Sequence, residues 1–409
     1  MEPEDVEYEP VSVKEVLAEM KDTAELLIDL AYSAVLHGSD EIAEEVLELE
    51  ERMDVLQMQG RMSLLMAART PDDAEALAPV LGVVAAAEKI SNAAGDIAKI
   101  VLEDIGLPDA LRAAMPEAAE TLVRAGVARD SPYANRTLGD VNMETETGVR
   151  VIAIRRSGDW ITNPDFETVL EPGDVVLLRG TDEGLSTVYE SVTGAEYNTP
   201  VLAEPTIEDL ERAVDAIVLM KNMSEVAVDL AYGAMLFDSE GVAEEVRELE
   251  TEVDQLQSRF EAWTLQAASR VEDPVQLRGL VHLATATEVI SDAALEISEG
   301  VLRGIDAHPV VAAAVEESDE IIVRISVGAG SDLDGATLAD SEVRTGTGMR
   351  VIAVRRPDQP TGKSGEWVVS PGASTRFDAG DLVIAKGTRA AAEAMSELAG
   401  NPREYDDDN

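Results

Sequence analysis

The chain contains no cysteine, which rules out a disulfide framework, a thiolate nucleophile and a Cys-ligated zinc. Histidine is almost as scarce, with only His37, His282 and His308, leaving little material for a His-based triad or an imidazole metal site. Basic residues are few: 32 Lys and Arg stand against 82 Asp and Glu, for a net charge of -50, and most of the bases are Arg. A field that negative repels phosphate backbones and anionic lipid, so neither nucleic-acid binding nor attachment through a basic patch is expected. The acidic, Lys-poor composition fits a halophilic surface in molar salt, where the Debye length is about 3 Å; the blander reading is an ordinary acidic protein. Long apolar runs are missing too. The longest nearly apolar stretch, Ala76 to Ala87, contains Pro79 and falls far short of the roughly 20 residues that span a bilayer. Met1-Glu-Pro-Glu-Asp5 lacks the basic and apolar regions of a signal peptide. The expectation is a soluble, cytoplasmic chain without direct membrane insertion.

What is present is present twice. Gly148-Val-Arg-Val-Ile-Ala-Ile-Arg-Arg156 returns as Gly348-Met-Arg-Val-Ile-Ala-Val-Arg-Arg356. Asp29-Leu-Ala-Tyr-Ser-Ala34 returns as Asp229-Leu-Ala-Tyr-Gly-Ala234, and Glu44 to Glu50 returns at Glu244 to Glu250. Trp160, Pro164, Gly173-Asp174 and Gly180-Thr181 return 207 positions later, because the second copy has a longer turn around Pro357 to Gly365. A period of this length is a whole two-domain unit, too long for a solenoid repeat, and marks a tandem duplication.

Residues 11 to 104 carry a helical period. Val13, Val16, Leu17, Met20, Ala24, Leu27, Ala31 and Val35 share one stripe, and His37-Gly-Ser-Asp40 supplies a stop and an N-cap. A second run places Ile42, Val46, Leu49, Met53, Leu56 and Met62 on the apolar face and ends at Arg69-Thr-Pro-Asp-Asp73; a third runs from Ala74 through Ile100. Three such helices with short turns predict an antiparallel bundle, repeated from Ile207 to Arg303, and the two could pack on each other about a pseudo-twofold axis. Between and after the bundles the period changes. Leu122–Val127, Val149–Ile154, Trp160–Thr162 and Val175–Leu178 read as strands, with a hairpin turn at Arg156-Ser-Gly-Asp159 and a closing helix over Glu183–Ser191. Gly328-Ala-Gly330 with Gly335 does not fit a dinucleotide fingerprint and reads as a loop.

Two sets of polar residues stand out. Glu50 and Asp54 lie one helical turn apart, as do Glu88 and Asn92, and their counterparts are Glu250, Asp254, Glu288 and Asp292. Carboxylates clustered on neighbouring helices suit hard or borderline cations, and a solvated acidic face is the alternative. Arg150, Arg344 and Arg350 are the second set, with Glu144 where Arg344 has its counterpart. A solvated strand edge or an ion pair is their alternative reading.

The helical part, with Glu50-x-x-x-Asp54 and Glu88-Lys-Ile-Ser-Asn92, resembles the PhoU family of phosphate-regulon proteins. That resemblance implies tandem three-helix bundles whose acidic motifs hold a divalent or ferric cation, here through Glu50, Asp54 and Glu88 and through Glu250, Asp254, Glu288 and Asp292. Asn92, and Lys89 or Val289 where that family usually has Arg, depart from its pattern. The strand part, with Gly-Val-Arg-Val-Ile-Ala-Ile-Arg-Arg, Pro-Gly-Asp and Gly-Thr in order, is similar to the C-terminal domain of regulators of potassium conductance, called RCK-C or TrkA-C. This implies small α+β domains that self-associate, sit in the gating assemblies of potassium channels or transporters, and in some members bind cyclic di-AMP, here through Arg150, Arg344 and Arg350.

The expected fold is multidomain, α and α+β, with two PhoU-like bundles (11–116 and 207–316) alternating with two RCK-C-like domains (117–197 and 317–400). Acidic tails cover 1–10 and 401–409, and 198–206 is a linker. The expected function is non-enzymatic: a cytoplasmic regulator of potassium or other cation transport acting on a membrane channel or transporter subunit. A regulator of phosphate uptake and a metal-dependent hydrolase are the alternatives, the latter lacking a nucleophile or phosphate loop.

Overall fold

A computed structural model describes residues 12–108, 111, 121–143, 147–162, 164, 166–180, 182–197, 207–236, 240–303, 320–341, 343–357, 367–369, 371–372 and 374–400. The expected boundaries at 116–117 and 316–317, the 198–206 linker, both tails and most of the Pro357 to Gly365 turn lie outside the described residues.

The first bundle consists of α1 (Val13–His37), α2 (Asp40–Ala67) and α3 (Pro71–Leu102). Ser12 caps α1 by accepting from the Glu15 amide, and Ser39 caps α2 by accepting from Ile42. Between them Gly38 takes the left-handed conformation (φ 57°, ψ 42°) that stops α1, and its N–H closes on the last carbonyls. The eight residues of the predicted α1 stripe are all buried. On α2 the prediction holds as far as Leu56, but Met62 is half-buried; the buried positions beyond Leu56 are Gln57, Gly60, Ser63 and Leu64. Hydropathy nominated Met62 for the core, whereas the 3.6-residue period carries it round toward solvent and brings small residues inward.

The first sheet unit follows, with β1 (Thr121–Gly126), β2 (Arg136–Thr137), α4 (Leu138–Val141), β3 (Arg150–Arg156), β4 (Asp159–Thr162), β5 (Val169–Leu170), β6 (Val175–Gly180) and α5 (Asp182–Thr193). The second bundle is α6 (Glu208–Leu236), α7 (Glu240–Ala268) and α8 (Arg278–Leu302), the last preceded by a 3-10 turn at Pro274–Leu277. The second sheet unit has β7 (Glu320–Ser326), α9 (Val343–Thr347), β8 (Arg350–Arg355), β9 (Trp367–Val369), β10 (Leu382–Thr388) and α10 (Arg389–Leu398). Both sheets are antiparallel with the same order, β1-β6-β3-β4 and β7-β10-β8-β9. Ser157 (φ 56°) and Gly158 (φ 98°) make the β3–β4 hairpin turn, as the twist of the strands requires. The pairing of β2 with β5 was not visible in the sequence, since two-residue strands carry no period.

The bundles pack through α3 and α8, the third helix of each, so the duplication closes on itself about a pseudo-twofold axis. Each sheet rests one face on the bundles. Leu122, Ala153 and Leu177 from the first sheet and Ile352, Ala353 and Ile384 from the second join one continuous core with the six long helices. The opposite faces form separate small cores with α5 and α10. Burial on both faces explains why β3 and β8 read as unbroken β-branched runs.

Candidate functional site

The Arg pairs that end the duplicated strands have separate tasks. Arg156 binds the carboxylate of Asp174 through Nε (2.8 Å) and Nη2 (2.7 Å), while Asp174, almost fully buried, also accepts from the Glu171 amide (2.8 Å). Arg356 and the Asp378 amide repeat these contacts on one oxygen of Asp381, Oδ2, while its Oδ1 has no partner among the described residues. The Pro-Gly-Asp signature thereby fastens the turn before β6 to the end of β3. Arg155 points the other way, onto α2, where it meets the buried Glu45 (2.9 Å) and Glu48 (2.5 Å); Arg124 of β1 also reaches Glu45 (3.1 Å). Arg355 binds Glu245 through two contacts of 2.8 Å and Glu248 at 2.9 Å. Burial pushes the Glu45 and Glu245 carboxyls up, and the arginines against them, Arg124 with Arg155 and Arg355 with Arg324, pull back down.

A second layer of charge lies at the centre of the molecule. Arg179, one residue before Gly180 in β6, pairs with Asp29 of α1. Its counterpart Lys386 in β10 bridges two bundles, lying 3.3 Å from Glu25 of α1 and 3.3 Å from Asp229 of α6. Lys21 completes the group at 2.8 Å from Glu25, and Lys221 repeats that contact with Glu225 at 2.6 Å. Burial raises the Glu25 carboxyl, but Lys21 and Lys386 outweigh it and hold the group at about 2. Among the described residues Asp229 is bonded to the shared Lys386; its burial and the nearby Glu25 charge push it up, against the pull of Lys386, Lys21 and Arg350. Arg179 is lowered to about 10 by burial and by Arg350 beside it, against the pull of Glu225, Asp229 and Glu25. Charges from both sheets and both bundles thus meet in one desolvated cluster.

This places Arg150 and Arg350. They stand opposite Arg179 and Lys386 in the ladders, and directly opposed residues share a face, so both lie on the bundle side of their sheets. Five residues separate Arg150 from Arg155, which in a regular strand would put them on opposite faces. A β-bulge at Ile152, and at Ile352 in the second copy, resets the phase and turns both arginines toward the bundle. Arg150 and Arg350 are exposed. Arg344 lies in α9, its side chain outside the described residues, and Glu144 lies outside the described residues altogether.

The acidic motifs diverge between the copies. In the second bundle Glu250 and Asp254 of α7 and Asp292 of α8 bring one carboxylate oxygen each within 4.8 Å of one another. Burial, then Asp292, Asp254 and Glu250, push Glu288 up; Glu250 and Asp292 are likewise raised by burial and by neighbouring acids. An all-oxygen donor set under mutual repulsion fits a hard cation. In the first bundle the corresponding residues do not converge. Glu88 pairs with Arg61 (3.1 Å), and Glu50 lies over Gly95, where an added Cβ would come within 2.2 Å of its Oε2. Lys99, 3.1 Å from Asp96, lowers Glu50 against the rise caused by burial. The second copy has Glu261, Leu295 and Glu299 where the first has Arg61, Gly95 and Lys99.

The central network was not anticipated, yet a signal existed. Lys21, Glu25, Asp29, Glu45 and Glu48 all recur 200 positions later inside otherwise apolar stripes, and Arg124 and Arg155 recur with them.

A TrkA-C domain model matches residues 122–193 and 322–400, and a PhoU domain model matches residues 17–101 and 217–301. The chain therefore belongs to the proteins that join PhoU and TrkA-C domains in tandem, with each domain present twice. Two potassium channel proteins of Methanocaldococcus jannaschii are similar over short regions. The "Probable potassium channel protein 2" is 39% identical over 59 residues, covering 14% of this chain and 17% of the relative. The "Potassium channel protein 1" is 30% identical over 74 residues, covering 18% of this chain and 22% of the relative. The chain thus spans less than a quarter of the length of these relatives. Among solved structures, PhoU from Pseudomonas aeruginosa aligns with a TM-score of 0.40 and 12% identity, over 71% of this chain and 96% of that one. The GsuK RCK domain aligns at 0.19 and 17%, over 69% and 64%. Scores this low add nothing to the domain assignment. Among the described residues, no helix is long and apolar enough to cross a membrane.

Proposed function

We propose that this chain regulates transmembrane potassium transport: the TrkA-C domains sense a small anionic ligand, and the PhoU bundles pass the change to a membrane channel or transporter subunit at the cytoplasmic face. The observation that carries this reading is the buried charge cluster. Lys386 of the second sheet bonds to helices of both bundles, and Arg350 lies beside Arg179 of the first sheet. An anion held by Arg150 and Arg350 would compete with Glu25, Asp29 and Asp229 for the same cations, so its arrival redistributes contacts between sheets and bundles. Cyclic di-AMP, taken up with the help of Arg344, is the first candidate. A divalent or ferric cation at Glu250, Asp254, Glu288 and Asp292 would relieve the repulsion there and stiffen the second bundle; the chain needs no catalytic role.

A regulator of phosphate uptake is the second reading, favoured by the PhoU domains and the acidic cluster. Affinity capture in molar KCl from membranes of the source cell separates the two. A potassium channel or transporter subunit, retained by the wild type and lost with Arg350→Ala, supports the first; a phosphate-uptake component in its place overturns it. Calorimetry in the same salt tests the sensor: saturable binding of cyclic di-AMP, lost in Arg344→Ala and Arg350→Ala, is expected. No heat with cyclic dinucleotides or mononucleotides would reduce the sheets to docking modules. Hydrolysis of phosphate esters by the cation-loaded protein would instead favour the hydrolase.

A further inference from the structure

The outward face of α2 carries an apolar stripe that the fold does not use. Val55, Met58, Leu65 and Met66 are exposed, the last two at 72% and 66%, and Met62 between them is half-buried. They fall at i, i+3, i+7, i+10 and i+11, opposite the face on which Met53, Leu56, Gly60 and Leu64 are buried. The duplication supplies an internal control. On α7, which packs in the same way in the second bundle, the equivalent residues are Gln255, Ser258, Ala262, Leu265 and Gln266. The same helical position therefore tolerates polar residues without loss of the fold, and its apolar character in the first copy calls for another explanation. On a chain of net charge -50, an exposed helix face with three methionines is a binding surface.

We infer that this face of α2 pairs with the same face of a second copy, in an antiparallel arrangement with a twofold axis at Met62. Three observations select that occupant. The spacing 55, 58, 62, 65 is the seam pattern of two helices packed side by side. Among the described residues this is the one helix face with such a stripe, and a face that pairs with itself about a twofold axis closes as a dimer. The flanks are complementary to themselves: an axis at Met62 sets Met58 against Met66 of the mate, and brings Arg69, just past the helix end, to the level of Asp54 and Glu51 on the other chain. A basic partner would be drawn to any face of so acidic a chain, whereas only a matching stripe makes use of this one. The stripe runs about 17 Å along the helix. Its area falls below the ~800 Å² per partner of a standard interface, so the dimer is weak, with Kd on the order of tens of micromolar. At low salt, repulsion between two such charges opposes it further.

The test uses the full chain in 3 M KCl. Sedimentation across a concentration series should show a monomer–dimer equilibrium, shifted at least tenfold toward monomer by the substitutions that copy the second bundle, Val55→Gln, Met58→Ser, Met62→Ala and Met66→Gln. Because the chain has no cysteine, Met62→Cys gives a single thiol, and mild oxidation should link two chains through it; Leu265→Cys, more exposed but on α7, should not be linked. Monomer at every concentration overturns the inference. So does a dimer unaffected by the four substitutions, which would assign self-association to the TrkA-C sheets, or equal linking through Leu265→Cys.

Discussion

The two PhoU bundles share a backbone plan and differ in where their charges go. In the first, Arg61 and Lys99 lie among the acids and Gly95 lets Glu50 fold down onto α3, where Lys99 offsets part of the rise that burial, Asp96, Asp54 and Glu51 cause. In the second, Glu261, Leu295 and Glu299 replace those three residues, and Glu250, Asp254 and Asp292 are left facing one another. The duplicated motif is interleaved with bases in one half and gathers three carboxylates in the other. The sheet contacts did not diverge in this way, since Glu45 and Glu245 hold Arg155 and Arg355 alike. Conservation of the docking charges beside divergence of the acidic motifs separates what holds the molecule together from what is free to specialise.

The strongest test of this comparison lies in the central cluster. Arg179 and Lys386 occupy the same place in the two sheets, but Lys386 serves acids on both bundles. Lys386→Met leaves Asp229 buried without its bonded cation and is expected to destabilise by about 3–5 kcal/mol. Arg179→Met, which strands only the partly exposed Asp29, should cost less. Denaturant unfolding in molar KCl measures both, and equal losses would mean the two halves are not asymmetrically coupled.

Next comes the cation. Manganese at 100 times its Kd should stabilise the wild type by about 2.7 kcal/mol. Asp292→Asn, which installs the first copy's residue, should remove that gain, while Glu50→Gln should leave it intact. Elemental analysis after reconstitution is a second readout, and loss of metal in Glu50→Gln would erase the distinction between the bundles.

A smaller effect is expected at the interface of the bundles. Tyr32 shares a 2.7 Å hydrogen bond with Thr287; the residue 200 positions before Thr287 is Ala87, and the buried hydroxyl of Tyr232, the counterpart of Tyr32, has no partner among the described residues. Ala87→Thr should restore the symmetric bond and stabilise by about 1 kcal/mol. The reverse change, Thr287→Ala, should destabilise by a similar or larger amount, and thermal unfolding of the pair shows whether the asymmetry is energetic.

The smallest effect concerns pH and has opposite sign in two places. Glu250, Glu288 and Asp292 are raised in the folded chain, so it binds protons there more tightly than the unfolded chain does. Their contribution is most favourable below the ordinary carboxylate range and is lost as pH rises through the raised values. Glu25, held at about 2, contributes above its ordinary value near 4.5 and loses that contribution as pH falls toward 2. Metal-free protein should therefore gain slightly as pH falls toward the ordinary carboxylate range, and lose the Glu25 contribution as pH falls from about 4.5 toward 2. Asp292→Asn should flatten the first change and leave the second.

Much of this was legible in the residues themselves. The 200-residue period, the caps at Ser39 and Gly38 and the β-branched runs with Arg pairs defined four domains in order, because local hydrogen bonding and periodicity are encoded within a few residues of where they act. Met62 was misplaced because its hydropathy was weighed above its phase, since the 3.6-residue period from Met53 already carries it to the far side of α2. The acidic motifs were visible as spacings, but whether Glu50 would meet an acid or a lysine depended on which α3 side chain lay across from it. The charge cluster required the tertiary structure altogether. Lys386 lies 361 residues from Glu25, and nothing local to either residue encodes their contact. It arises because the packing of α3 on α8 brings both bundles under both sheets, and because a bulge at Ile152 and Ile352 turns Arg150 with Arg155, and Arg350 with Arg355, toward them.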